Sequence, residues 1–255
     1  MTSNTEKRYA AIFDFDGTLV ESHPRRNIAH SKVCDFLLKY LNIQGEIQEK
    51  VLLNLIELME REMNEKHIYN RNIWWKEAVK RYFSKDISES ISESTLNELT
   101  TIYWQTVSDE SKIFPGVEDL LASLWQKGIK LGLMSDTDGL EGMKAKRIED
   151  AGLVEYFDAI IIPGEDTKDT KPSTQPFIKI CAALGVAPEN CVHVGDNPQV
   201  DILGAKELGM KTIILTPDKT HFKEKILIPD YLIELKDIKK LEELIPELLN
   251  EKNAK

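Results

Sequence analysis

Hydrophobic positions along the chain follow two different rhythms. Tyr9 to Phe15 is a dense apolar and aromatic run that stops at Asp16-Gly17-Thr18, a turn signature, and it predicts a strand. From about residue 25 to residue 107 the spacing is helical. Val33, Phe36, Leu37, Tyr40 and Leu41 form one set, and Val51, Leu55, Leu58 and Met59 a second. Trp74, Trp75, Ala78, Val79, Tyr82 and Phe83 form a third, and Leu96, Leu99, Ile102 and Tyr103 a fourth. No proline falls between Pro24 and Pro115, and the only glycine there is Gly45. Four helices without a strand predict a separate helical unit.

After Phe114-Pro115-Gly116 strands and helices alternate. A helix with Val117, Leu120, Leu121, Leu124 and Trp125 leads to Gly128, and the strand Ile129 to Met134 follows. A helix around Gly142 to Asp150 precedes a short strand, Ala159 to Ile162. Next come a helix with Phe177, Ile180, Cys181 and Leu184, the strand Cys191 to Val194, a helix with Ile202, Ala205 and Leu208, and the strand Lys211 to Leu215. A last helix spans about Asp237 to Asn250. This alternation predicts an α/β fold, a parallel sheet with helices on both faces, to which the strand Tyr9 to Phe15 also belongs. Residues 1–20 and 112–255 are therefore expected to form the α/β core, interrupted by a helical insertion over 21–111.

Composition narrows the setting. With 42% hydrophobic and 30% charged residues, the 255-residue chain reads as soluble and globular. A net charge of −10 disfavours nucleic acid and anionic membranes as partners. It also repels phosphorylated metabolites, so a phosphate site would need local positive charge or a metal. Cys34, Cys181 and Cys191 are far apart and odd in number, with no CxxC, which argues against zinc and disulfide frameworks. MTSNTEKRYA has no apolar stretch of the signal-peptide kind, and no run is long enough to span a membrane. The expected location is the cytoplasm.

Ligands of open parallel sheets bind beyond the C-terminal ends of the strands. The first strand ends in Asp14-Phe15-Asp16-Gly17-Thr18, Ile129 to Met134 ends in Ser135-Asp136-Thr137, and Cys191 to Val194 ends in Gly195-Asp196-Asn197, with Asp201 five residues beyond Asp196. Lys171 lies in the loop after Ala159 to Ile162. Four carboxylates, a hydroxyl and a lysine thus converge on one edge. Clustered carboxylates raise one another's pKa unless a cation joins them, and oxygen-only ligands select a hard cation, Mg²⁺ being common beside phosphate. A carboxylate can attack phosphorus, and a second one two residues on can protonate the leaving oxygen and then activate water. A hydroxyl and a lysine would hold the phosphoryl oxygens. Each motif alone is an ordinary turn or cap; their joint placement at successive strand ends is what carries weight.

The ordered set Asp14-Phe15-Asp16-Gly17-Thr18-Leu19-Val20, Ser135, Lys171-Pro172 and Gly195-Asp196-Asn197-Pro198-Gln199-Val200-Asp201 resembles the haloacid dehalogenase-like hydrolase superfamily. The insertion sits where its phosphoglycolate-phosphatase-like subgroup carries a helical cap domain. The resemblance implies a Rossmann-like core and a Mg²⁺-dependent phosphatase acting on a small-molecule phosphate ester through an aspartyl phosphate. It implies Asp14 as nucleophile and metal ligand, and Asp16 as general acid/base with its carbonyl on the metal. It implies Ser135 and Lys171 at the phosphoryl group, Asp196 on the metal, and Asp201 supporting the metal shell or orienting Lys171. Asp136 departs from the Asn the family often carries there. It is expected to face outward or, second, to read a cationic or hydroxyl group of the substrate.

Other functions on this scaffold have weaker footing. Asp16 argues against dehalogenation, which needs no leaving-group acid there. A phosphonatase would need a Schiff-base lysine, and nothing singles out Lys39, Lys66, Lys76 or Lys80. A phosphomutase and a non-catalytic binding protein remain the alternatives. His23, Arg25 and Arg26 could meet an anionic substrate or be solvated linker residues, and Trp74 and Trp75 read as packing residues of the insertion. Substrate identity and oligomeric state are left open.

Overall fold

The computed structural model describes residues 9–83, 85–222 and 226–251. The chain divides into two compact units. One contains the residues up to Glu21, Lys112–Asp136 and those from Ile148 onward; the other contains Ser22–Ser111 and Thr137–Arg147. Residues 137–147, which the sequence pattern assigns to the α/β half, therefore cluster with the helices. Gly139 permits this: its φ is +81°, and a Cβ there would come within 2.1 Å of the Tyr69 carbonyl oxygen.

The helical unit contains α1 (Arg26–Tyr40), α2 (Glu46–Glu65), α3 (Arg71–Tyr82), α4 (Lys85–Ser90) and α5 (Glu93–Glu110). Their starts are capped where the sequence provides an oxygen: Asn70 accepts from the Asn72 N–H, and Ser92 from the Thr95 N–H. The apolar stripes meet in one core that buries Leu37, Leu52, Ile56, Trp74, Trp75, Leu99 and Tyr103. Trp74 and Trp75 are thus packing residues. The Trp75 indole N–H donates to Thr100 Oγ1 (2.9 Å), which donates to Asn72 Oδ1 (2.8 Å). This chain satisfies the buried Trp75 indole, the Thr100 hydroxyl and the Asn72 side-chain carbonyl oxygen.

The other unit is built on six strands: β1 (Ala10–Phe13), β2 (Lys130–Met134), β3 (Ala159–Ile161), β4 (Cys191–Gly195), β5 (Lys211–Thr216) and β6 (Tyr231–Glu234). Their order is β3-β2-β1-β4-β5-β6, and all pairs are parallel. In the central strand β1, Ala10 is in register with Lys130 of β2 and Cys191 of β4. Side chains alternate across the pleat. Ala11 and Phe13 enter a core with α6 (Val117–Gln126) and the C-terminal helix, whereas Ala10 and Ile12 enter a second core with Phe177, Ile180 and Leu184. Helix α7 (Met143–Asp150) starts in the helical unit and ends in this one; the remaining α-helices are α8 (Thr174–Leu184), α9 (Pro198–Asp201), α10 (Leu203–Glu207) and α11 (Leu241–Glu251). Among the described residues no helix is long and apolar enough to cross a membrane.

Three local features differ from the sequence expectation. β6 was not anticipated: it is a four-residue edge strand in which only Ile233 is buried, so it carries almost no periodic signal. The last helix begins as a 3₁₀ segment, Leu235–Lys240, before α11, because Ile238, Leu241 and Ile245 keep one buried stripe through both windings. Trp125 lies off the buried face of α6 and is 64% exposed.

Glu60 in α2 gathers the polar groups of the helical unit. It accepts from Tyr103 Oη (3.2 Å) and lies 3.3 Å from Arg26 Nη1 and 3.1 Å from His30 Nε2. Burial opposes its ionisation, but the neighbouring His30 and the charges of Arg26 and Arg71 outweigh burial and hold the carboxyl below its usual range. A folded-state pKa below the unfolded one lends stability above the unfolded value of about 4.3, and that stability is lost as pH falls through and below it. Chemical denaturation at pH 7 and near pH 3.5 should therefore show a smaller pH-dependent loss in Glu60→Gln than in wild type. Equal losses would contradict the role given to Glu60.

Candidate active site

The strand order reverses between β1 and β4, and open α/β sheets bind ligands at such a switch point, beyond the C-terminal ends of the strands. Asp14 directly follows β1. Its N–H donates to Val194 O at 2.9 Å, which extends the ladder to β4 by one residue and fixes the backbone beneath the carboxylate. Its Oδ1 accepts from the Phe15 N–H at 2.7 Å. The chain then turns at Gly17, whose N–H bonds Val20 O. Asp196 follows β4, and Asp201 ends α9, the short helix that Asn197 caps by accepting from the Gln199 N–H.

Lys171, after β3, is 1% exposed, and its ammonium sits between two carboxylates, 3.2 Å from Asp14 Oδ2 and 2.7 Å from Asp201 Oδ1. Carboxylate oxygens of Asp14, Asp196 and Asp201 lie within 4.8 Å of one another. The structure therefore brings Asp14, Lys171, Asp196 and Asp201 together. Ser135 is buried at the end of β2, the neighbour of β1, and its N–H donates to Ile161 O at 3.3 Å. Asp16 is half-buried two residues beyond Asp14, close enough to raise the Asp14 pKa.

Asp136 corrects the sequence expectation. It neither faces outward nor stands free to read a substrate: its Oδ1 accepts the Lys171 backbone N–H at 3.0 Å. The carboxylate thus anchors the loop that presents the lysine. His193, in the middle of β4, is a further polar residue of the site that the sequence motifs do not mark. It is fully buried, packs edge-on against Phe177, and lies with Nε2 3.0 Å from Asp201 Oδ1. The available signal was a polar side chain inside a strand buried on both faces, where it must find a partner.

The charges are unbalanced towards the negative. Burial raises the Asp14 pKa; Lys171 opposes this, while Asp201 and Asp16 add to it. Burial also works against ionisation of Asp201, yet Lys171 and His193 together hold its pKa well below the usual carboxylate range. For Lys171, burial disfavours the charge, but Asp14, Asp201 and Asp136 outweigh it and raise the pKa well above the ordinary lysine value. One ammonium thus serves several carboxylates. The oxygen-only donor set of Asp14, Asp196 and Asp201 suits a hard divalent cation, which would relieve the penalty on Asp14.

Gly195 makes the packing possible. A Cβ there would fall 2.2 Å from Asp201 Oδ2, the oxygen that accepts the Asn197 N–H at 3.0 Å. Gly195→Ala must displace Asp201 from its place beneath Lys171. We expect thermal or denaturant unfolding to show a loss of about 1–3 kcal/mol, the usual cost of overpacking. A variant as stable as wild type would mean that Asp201 has room to move.

Comparison with known proteins agrees with this geometry. A family model described as haloacid dehalogenase-like hydrolase matches residues 10–209. A relative from Clostridium perfringens, provisionally named the pyrophosphatase PpaX, is 34% identical over 203 residues, covering 80% of this chain and 81% of the relative. Phosphoglycolate phosphatase of Salmonella typhimurium is 31% identical over 212 residues, covering 80% and 79%. The crystal structure of a HAD phosphatase from Thermococcus onnurineus superposes with a TM-score of 0.63 at 25% identity, covering 91% of this chain and 97% of that one. A sheet that sets Asp14 beside Lys171, Asp196 and Asp201, and a family match that spans all four, lead to one conclusion: the chain belongs to the haloacid dehalogenase-like hydrolases.

Proposed function

We propose that this haloacid dehalogenase-like phosphatase hydrolyses a small phosphomonoester in two steps through Asp14. The observation that carries this reading is the Asp14 carboxylate 3.2 Å from the buried Lys171 ammonium, with oxygens of Asp196 and Asp201 inside 4.8 Å. In the first step an Asp14 oxygen attacks phosphorus while the ester P–O bond breaks, and Asp16 gives its proton to the departing oxygen. In the second, Asp16 takes a proton from water, which attacks the aspartyl phosphate. The P–O bond to Asp14 then breaks, releasing inorganic phosphate and restoring the carboxylate. Lys171 and the Ser135 hydroxyl hold the phosphoryl oxygens, and Asp201, gripped by His193 and Asn197, keeps the ammonium in place.

Asp14, Asp196 and the Asp16 carbonyl would hold Mg²⁺. When bound, such an ion offsets negative charge on the phosphoryl group and the carboxylates. Asp201 lies in the same cluster but is committed to Lys171, His193 and Asn197, so its role is support. The named relatives act on phosphoglycolate and, provisionally, on pyrophosphate; a small phosphorylated metabolite is the substrate class proposed here. The helical unit takes the role of a cap that limits access of water and of larger esters.

Phosphate release from a panel of phosphorylated metabolites and an aryl phosphate, with Mg²⁺ and with excess chelator, tests the reading. Release should require Mg²⁺ and vanish in Asp14→Asn, which keeps the shape but removes the nucleophile. Asp16→Ala should lose about 10²–10⁴-fold, the usual weight of general acid–base catalysis. Wild-type turnover by Asp14→Asn, without deamidation back to aspartate, would overturn the mechanism. No release from any ester would favour a mutase or a binding role.

A further inference from the structure

The helical unit contains a second concentration of charge that the proposed chemistry does not use. Arg71, the first residue of α3, is 4% exposed. Its guanidinium carbon lies 3.8 Å from the centroid of Trp74, 4.2 Å from Tyr103 and 4.4 Å from Trp104. Among the described residues its Nε and Nη1 have no hydrogen-bond partner. The nearby carboxylates are already engaged. Glu60 is held by Arg26, His30 and Tyr103. Asp138 accepts from Arg147 Nη1 through both carboxylate oxygens at 3.1 Å and lies 2.9 Å from Lys144 Nζ. The Trp104 ring is also shared, with the Arg147 guanidinium carbon 4.3 Å from its centroid.

Such an arrangement is costly. A buried guanidinium ordinarily pairs with a carboxylate, because removing it from water uncompensated is expensive. Aromatic faces recover part of that cost but supply no lone pairs for the N–H groups. Glu60 and Asp138 favour the charge and Arg26 opposes it, but among the described residues no carboxylate accepts a hydrogen bond from Nε or Nη1. What those two groups lack is an acceptor. Guanidinium recognises carboxylate and phosphoryl oxygens through charge-assisted hydrogen bonds, and an anion arriving at Arg71 would displace no existing hydrogen-bond partner of Nε or Nη1.

We propose that Arg71, within its cage of Trp74, Tyr103 and Trp104, is an anion site of the helical unit that accepts one carboxylate or phosphoryl group. That group belongs to a separate small anion that binds and stabilises the unit. The site does not depend on the phosphatase reading above.

One titration on the full chain tests the site. Inorganic phosphate is added to wild type, Arg71→Met and Arg71→Lys in the presence of chelator, following the melting temperature and tryptophan fluorescence. Phosphate should shift both signals in wild type and leave a smaller shift in Arg71→Met, with Arg71→Lys between them. Each shift is measured from that protein's own anion-free baseline.

Identical phosphate responses in wild type and Arg71→Met would overturn the proposal. Should Arg71→Met fail to fold, Arg71→Lys and the wild-type fluorescence titration decide, and a titration without spectral change would count against the site. A chain that hydrolyses no ester, yet loses its phosphate response in Arg71→Met, would sink the phosphatase reading and leave the anion site standing.

Discussion

The buried ammonium of Lys171 is the constraint around which the rest of the α/β unit is arranged. An isolated charge at that depth would lose its proton or unfold its surroundings. It survives because Asp201 Oδ1 lies 2.7 Å away and Asp14 Oδ2 3.2 Å away. Buried ion pairs are seldom net stabilisers compared with well-packed apolar residues. Their presence is better explained by what they position, here a carboxylate at the end of the central strand beside a fixed positive charge.

Several features of the sequence follow from keeping that ammonium in place. Asp136 accepts its backbone N–H, so the loop after β3 is tied back to the end of β2. His193 occupies a β4 position where an apolar residue would pack as well, and it lies against the same Asp201 oxygen that the lysine uses. Gly195 leaves the space Asp201 fills, and Asn197 secures both α9 and the second Asp201 oxygen. Gly204 has a parallel role, since a Cβ there would fall 2.3 Å from the Pro172 carbonyl oxygen next to the lysine. The excess of carboxylates over this single ammonium leaves the site short of positive charge, which is the physical case for a divalent cation.

Much of this was legible in the sequence, and for definite reasons. The strands that carry Asp14, Ser135 and Asp196 are short apolar runs ending in turn residues, and a parallel sheet delivers such ends to one edge. The edge strand β6 was not legible, because half-exposed residues carry no clean alternation. The position of residues 137–147 was hidden for another reason. Their order is set by Trp104 Nε1 donating to the Asp138 carbonyl and by Arg147 holding the Asp138 carboxylate, contacts that no local pattern encodes. His193 and Asp136 show the same limit: each is one polar residue whose meaning depends on a partner 8 or 35 positions away.

The central claim is that the Asp14 carboxylate is the atom group that takes the phosphoryl group. The most direct measurement is acid quenching during turnover of a radiolabelled phosphate ester, followed by peptide mapping. Label is expected on the peptide that contains Asp14, stable in acid and released by hydroxylamine as an acyl phosphate is. Label on another residue, or turnover with direct transfer to water established by inversion at a chiral phosphorus, would contradict it.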